Sequence, residues 1–191
     1  MKTSQKRDDI IAASLDLIAE HGFHGTPMSL VAEKAGVGAG TIYRYFESKD
    51  ALINGIYAEV ERRITSAITE GYMEDKPMRE RFIFLCEKLL RYFLENPLHF
   101  RFIEQYFQSP YGVACRRDKL LEKSKQRDVF REMFEQGVAQ QILKDLPPYA
   151  MAALTIMPLV SMSRDHILAL VQLDDETIMK TIEACWDGIK R

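Results

Sequence analysis

Cysteine is scarce in this chain. Cys86, Cys115 and Cys185 are scattered without a Cys-x-x-Cys or Cys/His spacing. That leaves no basis for a structural zinc site or a disulfide framework, and it fits a reducing cytoplasm. No stretch approaches the ~18 apolar residues that span a bilayer. The opening "MKTSQKRDDI" lacks the apolar core of a signal peptide. An excess of one charge is missing as well: 26 basic and 28 acidic residues leave a net charge of −2. A chain-wide polyanion-binding surface is therefore excluded, and any nucleic-acid contact has to come from a local arrangement. Sustained period-two alternation is absent, which argues against sheet. There is no Glu-x-x-His pair, nucleophile motif or phosphate loop. An enzyme or carrier built on a helical bundle is disfavoured for that reason, and neither a metal nor a cofactor is expected.

What the sequence has in abundance is helical periodicity. Ile11, Leu15 and Ile18 line a first helix that ends near His21-Gly22. Ser29 can cap a short second helix, closed by Gly36. Ser48 can cap a long helix with Ile53, Ile56, Tyr57, Val60, Ile64 and Ile68 on its apolar side, closed by Gly71. A further helix follows Pro77 and stops before Pro97, and another spans 98–108. Pro110 and Gly112 read as breaks, and a polar helix carrying Leu120, Leu121, Val129 and Phe130 runs on to Gly137. Pro147-Pro148 opens a strongly apolar helix with an expected kink at Pro158. The last helix puts Ile178, Ile182, Cys185, Trp186 and Ile189 on one stripe. The expected fold is all-α, with about nine helices. An N-terminal helix-turn-helix head, residues 1–48, precedes a larger helical body, residues 49–191.

The stretch "AGVGAGTIYRYFESKDAL", residues 35–52, sets three glycines beside dense aromatics. A helix ending at Gly36, a tight turn and a second short helix outline a helix-turn-helix. Gly38 and Gly40 fall at and just inside the start of the second helix. Bare backbone there allows close approach, and the exposed amides favour an anion such as phosphate. Ile42 and Phe46, spaced i, i+4, would anchor this helix inward. Ala39, Gly40, Tyr43 and Arg44 then remain outside, suited to base edges and phosphates. Lys49, a cation in the first turn of the next helix, opposes the dipole and suits phosphate better than stability.

The head resembles the DNA-binding domain of TetR-family transcriptional regulators. The resemblance rests on "IIAASLDLIAEHGF", Thr26, "VAEKAGV", "GTIYRYF" and "SKDAL", in order and at the family's spacing, and covers residues 7–57. It implies that Thr26 caps or approaches phosphate at the second helix. Tyr43, Tyr45 and Lys49 would hold phosphates with help from Thr41, while Ala39, Gly40 and Arg44 would face bases. Gly38 departs from the family's usual serine and removes a hydroxyl cap. Pro27 is a smaller departure, stiffening the entry to the second helix.

Double-stranded DNA is thus the expected partner, in the form of a palindromic operator. A single helix-turn-helix reads few base pairs, so a homodimer is expected. The last two helices are the candidates for the interface, with Leu154, Val160, Leu168, Ile178, Ile182 and Trp186; the resemblance implies a four-helix bundle between symmetry mates. A buried central helix is the plainer reading of the same apolar run. The body is rich in Phe, Tyr and Met. Phe82, Cys86, Phe102, Tyr106 and Phe107 form one candidate set for an apolar effector pocket. Phe130, Met133, Phe134 and Met157 extend it. Ordinary core packing is the alternative for each. The expected function is a cytoplasmic, ligand-responsive repressor released from its operator by a small hydrophobic effector. A DNA-binding dimer without a ligand stands beside it.

Overall fold

A computed structural model describes residues 2–120 and 128–191. These residues form ten α-helices and no strand beyond an isolated antiparallel bridge between Leu143 and Lys190. The helices are α1 (Lys2–His21), α2 (Met28–Lys34), α3 (Ala39–Tyr45), α4 (Lys49–Thr69), α5 (Met78–Glu95), α6 (Pro97–Phe107), α7 (Pro110–Leu120), α8 (Val129–Ala139), α9 (Pro148–Ile167) and α10 (Asp175–Ile189).

Most boundaries follow from local chemistry. Gly22, Gly36 and Gly71 adopt positive φ at or just beyond the ends of α1, α2 and α4, a region glycine enters without a Cβ penalty. The Ser48 hydroxyl accepts the Ala51 amide at the start of α4. Asp128 and Asp174 do the same for Arg131 and Thr177 at α8 and α10. Two expectations fail. Ser29 lies inside α2, whose N-cap is Pro27 without a side-chain bond. Pro110 begins a helix instead of ending one, because its missing N–H is no loss in a first turn. Gly112 makes that helix possible: it is buried, and a methyl group there would overlap the Tyr106 carbonyl and the Phe107 backbone. This adds one helix to the nine expected. The expected polar helix from Leu120 falls partly outside the described residues, at Leu121. Pro158 lies within α9, which continues through it.

The chain divides into two compact units, one from Met1–Arg63 with Pro97–Ser124, the other from Ile64–Asn96 with Lys125–Arg191. α6 and α7 belong to the first unit because α6 packs along α1 and α7 packs on α6. The core of the first unit contains Ile10, Ile18, Ile42, Ile53, Ile56, Phe100 and Phe102, all nearly or fully buried. Each such side chain contributes ~1.5–3 kcal/mol. In the second unit α5 packs against α8, α9 and α10, with the Phe82 and Trp186 ring centres 5.5 Å apart. Arg81 is buried there. Its guanidinium donates to the Tyr72 hydroxyl at 2.8 Å and to Gln136 Oε1 at 2.9 Å.

Candidate nucleic-acid interface

α2 and α3 are each seven residues long and joined by Ala35–Gly38. Gly36, at φ 63°, turns the chain between them. Ile42 is fully buried and Phe46 is 4% exposed, so these two hold α3 onto the head. Gly38, Ala39, Gly40, Tyr43 and Arg44 are exposed, while Thr41 and Tyr45 are half-buried. A Cβ at Gly38 or Gly40 would meet nothing within 4 Å, and Gly38 has an ordinary extended backbone at φ −71°, ψ 147°. Packing thus does not require glycine at either place. What the two glycines provide is bare backbone toward the outside.

Arg44 lies over the Tyr45 ring, 5.3 Å from its centre, and Arg7 over the Phe46 ring at 5.4 Å. Such stacking orients a guanidinium while leaving its donors available. The Phe46 ring also rests against Gly55 of α4, where a Cβ would approach Cε1 to 2.9 Å. Neither Arg7 nor Gly55 stands out in the sequence, because no helical spacing links either of them to Phe46.

Two of the expected phosphate contacts also have partners within the chain. Thr26 is 1% exposed and its hydroxyl donates to the Gly22 carbonyl at 2.9 Å. It closes the turn after α1 and does not cap α2. Lys49 donates from Nζ to the Phe23 carbonyl at 2.5 Å, which occupies one of its three donors. Lys34, at the end of α2, pairs with Asp16 at 3.3 Å.

Beside Lys49 runs a row of polar contacts onto one face of α4. The Tyr111 hydroxyl donates to Asp50 at 2.6 Å, Tyr106 to Asn54 at 3.2 Å, and Tyr57 to Glu61 at 2.8 Å. Cys115 Sγ approaches the Tyr57 hydroxyl at 3.4 Å. The Tyr57 and Tyr106 rings stack with centres 4.1 Å apart. The bond to Asp50 pushes the Tyr111 hydroxyl up to about 12, burial raises Tyr106 to about 12, and burial raises Tyr57. Glu59, accepting from Arg62 and Arg63, is pulled down to about 2.

The nine candidate pocket residues are shared between the two units. Phe102, Tyr106 and Phe107 belong to the first unit and the other six to the second. Seven of the nine are buried; Phe107 is half-buried and Met157 is 51% exposed. A groove of about 330 Å³ in the second unit is lined by Glu70, Phe84, Glu87, Lys88, Arg91, Tyr92, Glu95 and Ala67, and by none of those nine. Of the candidate interface residues, Leu154 and Leu168 are 44% and 56% exposed and Val160 is half-buried. Ile178, Ile182 and Trp186 are buried in the chain's own second unit, because α5 and α9 already cover that stripe.

A short helix anchored by two apolar side chains, presenting glycine, tyrosine and arginine beyond a glycine turn, defines a helix-turn-helix DNA-binding head on a helical body. The sequence profile of bacterial regulatory proteins of the tetR family matches residues 10–56, and that of the tetracyclin repressor-like C-terminal domain matches residues 77–190. The chain belongs to the TetR family of bacterial transcriptional regulators. A solved TetR-family regulator of Vibrio parahaemolyticus is 32% identical, with 97% of this chain and 99% of that one covered and a TM-score of 0.77. One from Marinobacter aquaeolei VT8 is 22% identical, covers 100% and 99%, and agrees in fold at a TM-score of 0.85. An HTH-type transcriptional regulator of Haemophilus influenzae is 24% identical over 185 residues, 96% of this chain and 95% of that protein. The second profile extends the family assignment into the body, where the residues alone read only as generic helices. Among the described residues no helix is long and apolar enough to cross a membrane.

Proposed function

We propose that the protein is a homodimeric repressor, working in the cytoplasm, that binds a palindromic operator and leaves it when a small hydrophobic effector binds the body. Residues 1–48 would read DNA, and residues 49–191 would carry the dimer contact and the effector site. The observation that carries the reading is the exposure of Gly40, Tyr43 and Arg44 on a helix pinned by Ile42 and Phe46. The bare backbone at Gly40 and the stacked Arg44 suit base edges, and the Tyr43 hydroxyl suits a phosphate. Lys49 would approach the backbone with its remaining donors.

The dimer is supported by α9. Its inward face is Met151, Thr155, Leu159 and Ser163, yet Leu154, Met157 and Leu168 stand exposed. Large apolar side chains left along one helix face mark an association surface. The two heads of a dimer would reach half-sites about 34–36 Å apart. The contacts of Tyr106 and Tyr111 with α4 support an effector response. Any ligand that displaced α6 or α7 would release the start of the helix that follows the recognition helix.

The test begins with a random duplex pool, from which the chain should select a palindrome. Arg44→Ala should relax preference at one base pair of each half-site, at ~1–3 kcal/mol. Tyr43→Phe should weaken all duplexes about equally. Unchanged binding by both would show that α3 does not face DNA. A second reading, a regulator without an effector, is favoured by the burial of seven of the nine candidate pocket residues. Release of the selected duplex by an added hydrophobic compound would exclude it.

A further inference from the structure

We propose that Tyr111 is a positioning residue for DNA binding, which holds the Asp50 carboxylate turned away from the phosphate backbone. The inference rests on the DNA reading given above. Asp50 directly follows Lys49 in the first turn of α4, and it is exposed. A carboxylate there suits the helix dipole. It is poorly placed for DNA, since a negative charge beside a phosphate contact repels it. The head has little positive charge to spare. Residues 1–50 hold six basic against seven acidic side chains, and Lys34 and Lys49 are already engaged.

The hydroxyl that takes up Asp50 is built into the fold. Tyr111 stands in the first turn of α7. Its ring lies edge-on to Phe23, with centres 5.7 Å apart, and stacks on Tyr106 at 6.3 Å. Two aromatic neighbours fix where the hydroxyl points, and it meets Asp50 Oδ1 at 2.6 Å. Phe23 is the residue whose carbonyl holds the Lys49 ammonium. The two opposite charges at the start of α4 are therefore held by adjoining parts of one cluster: Lys49 by the backbone of Phe23, Asp50 by a tyrosine packed on the ring of Phe23. Short charge-assisted hydrogen bonds of this type are the strong ones. Removing the hydroxyl leaves the ring packing in place and frees the carboxylate to swing toward the DNA.

The experiment compares Tyr111→Phe with the parent on the palindrome that the parent selects, over a salt series. Affinity should fall about fivefold at low salt, and the deficit should shrink as ionic strength rises past ~0.15 M, where repulsion between exposed charges is screened. In an Asp50→Asn background the same Tyr111→Phe change should leave affinity unaltered. Tyr111→Phe binding like the parent at every salt concentration would overturn the proposal. So would a loss that is equal at all salt concentrations and persists in the Asp50→Asn background, since that is what a packing defect alone produces. A parent that selects no duplex would sink the DNA reading itself, and this inference with it.

Discussion

α9 and α10 lie side by side in the second unit and differ in what they show to water. α10 turns Ile178, Ile182, Trp186 and Ile189 inward and exposes Glu176, Lys180, Glu183 and Asp187. Arg79 pairs with Glu183 at 2.8 Å and Lys180 with Glu176 at 2.5 Å on that outer face. It is an amphipathic helix whose apolar side is fully partnered within one chain. α9 is apolar on both sides. It buries Met151 and Leu159 and still exposes Leu154 and Met157, with Leu168 exposed just past its end. Among the described residues, most exposed large apolar side chains of this unit lie on α9 or just after it, and that is where the proposed dimer contact would fall. α10 supports α9 from inside.

The comparison can be broken most forcefully at Ile182. It is fully buried, so Ile182→Ala should cost ~2–5 kcal/mol in denaturant unfolding. A change confined to the dimer–monomer equilibrium, with stability kept, would move α10 into the interface. Next in size is the double change Leu154→Glu with Met157→Glu. It should yield folded monomers in sedimentation and reduce operator affinity about a hundredfold, because one head makes half the contacts. A dimer that survives both charges would remove α9 from the interface. The smallest effect concerns how α10 begins. The hydrogen bond from Thr177 holds the Asp174 carboxyl below its ordinary value. A carboxyl depressed in the folded state contributes stability above its unfolded pKa, near 4, and loses it as pH falls further. Asp174→Ala should lower the melting temperature modestly at pH 7, and the gap to the parent should narrow as pH falls below about 4. A gap independent of pH would assign the effect to something other than the cap.

The same pair shows how far residues alone can be read. Periodicity locates the stripe Ile178–Ile182–Trp186, but a stripe says which side leaves water and not whose atoms cover it. The head is more legible. Gly36 in its left-handed turn, Ser48 at the start of α4, and Ile42 and Phe46 as anchors all depend on neighbours a few residues away. The bonds of Thr26 and Lys49 within the chain are not legible, because their partners, the carbonyls of Gly22 and Phe23, are backbone groups that any residue supplies. α7 escapes a reading by breakers because a proline means opposite things at the first and at a middle position of a helix. The bonds of Tyr111 to Asp50 and of Tyr106 to Asn54 join residues more than fifty apart, with no local pattern to announce them.

The engaged lysines of the head have a consequence for how the protein finds its site. Random chromosomal duplex captures a regulator through loose cation–phosphate contacts, and the strength of that capture scales with the cations on offer. With Lys34 tied to Asp16 and Lys49 to a carbonyl, the head would offer random duplex fewer cations than its sequence contains. Under the proposed function, such a head would spend less of its time stored on the wrong DNA. The free pool would stay a larger share of the total, and fewer copies per cell would keep an operator occupied.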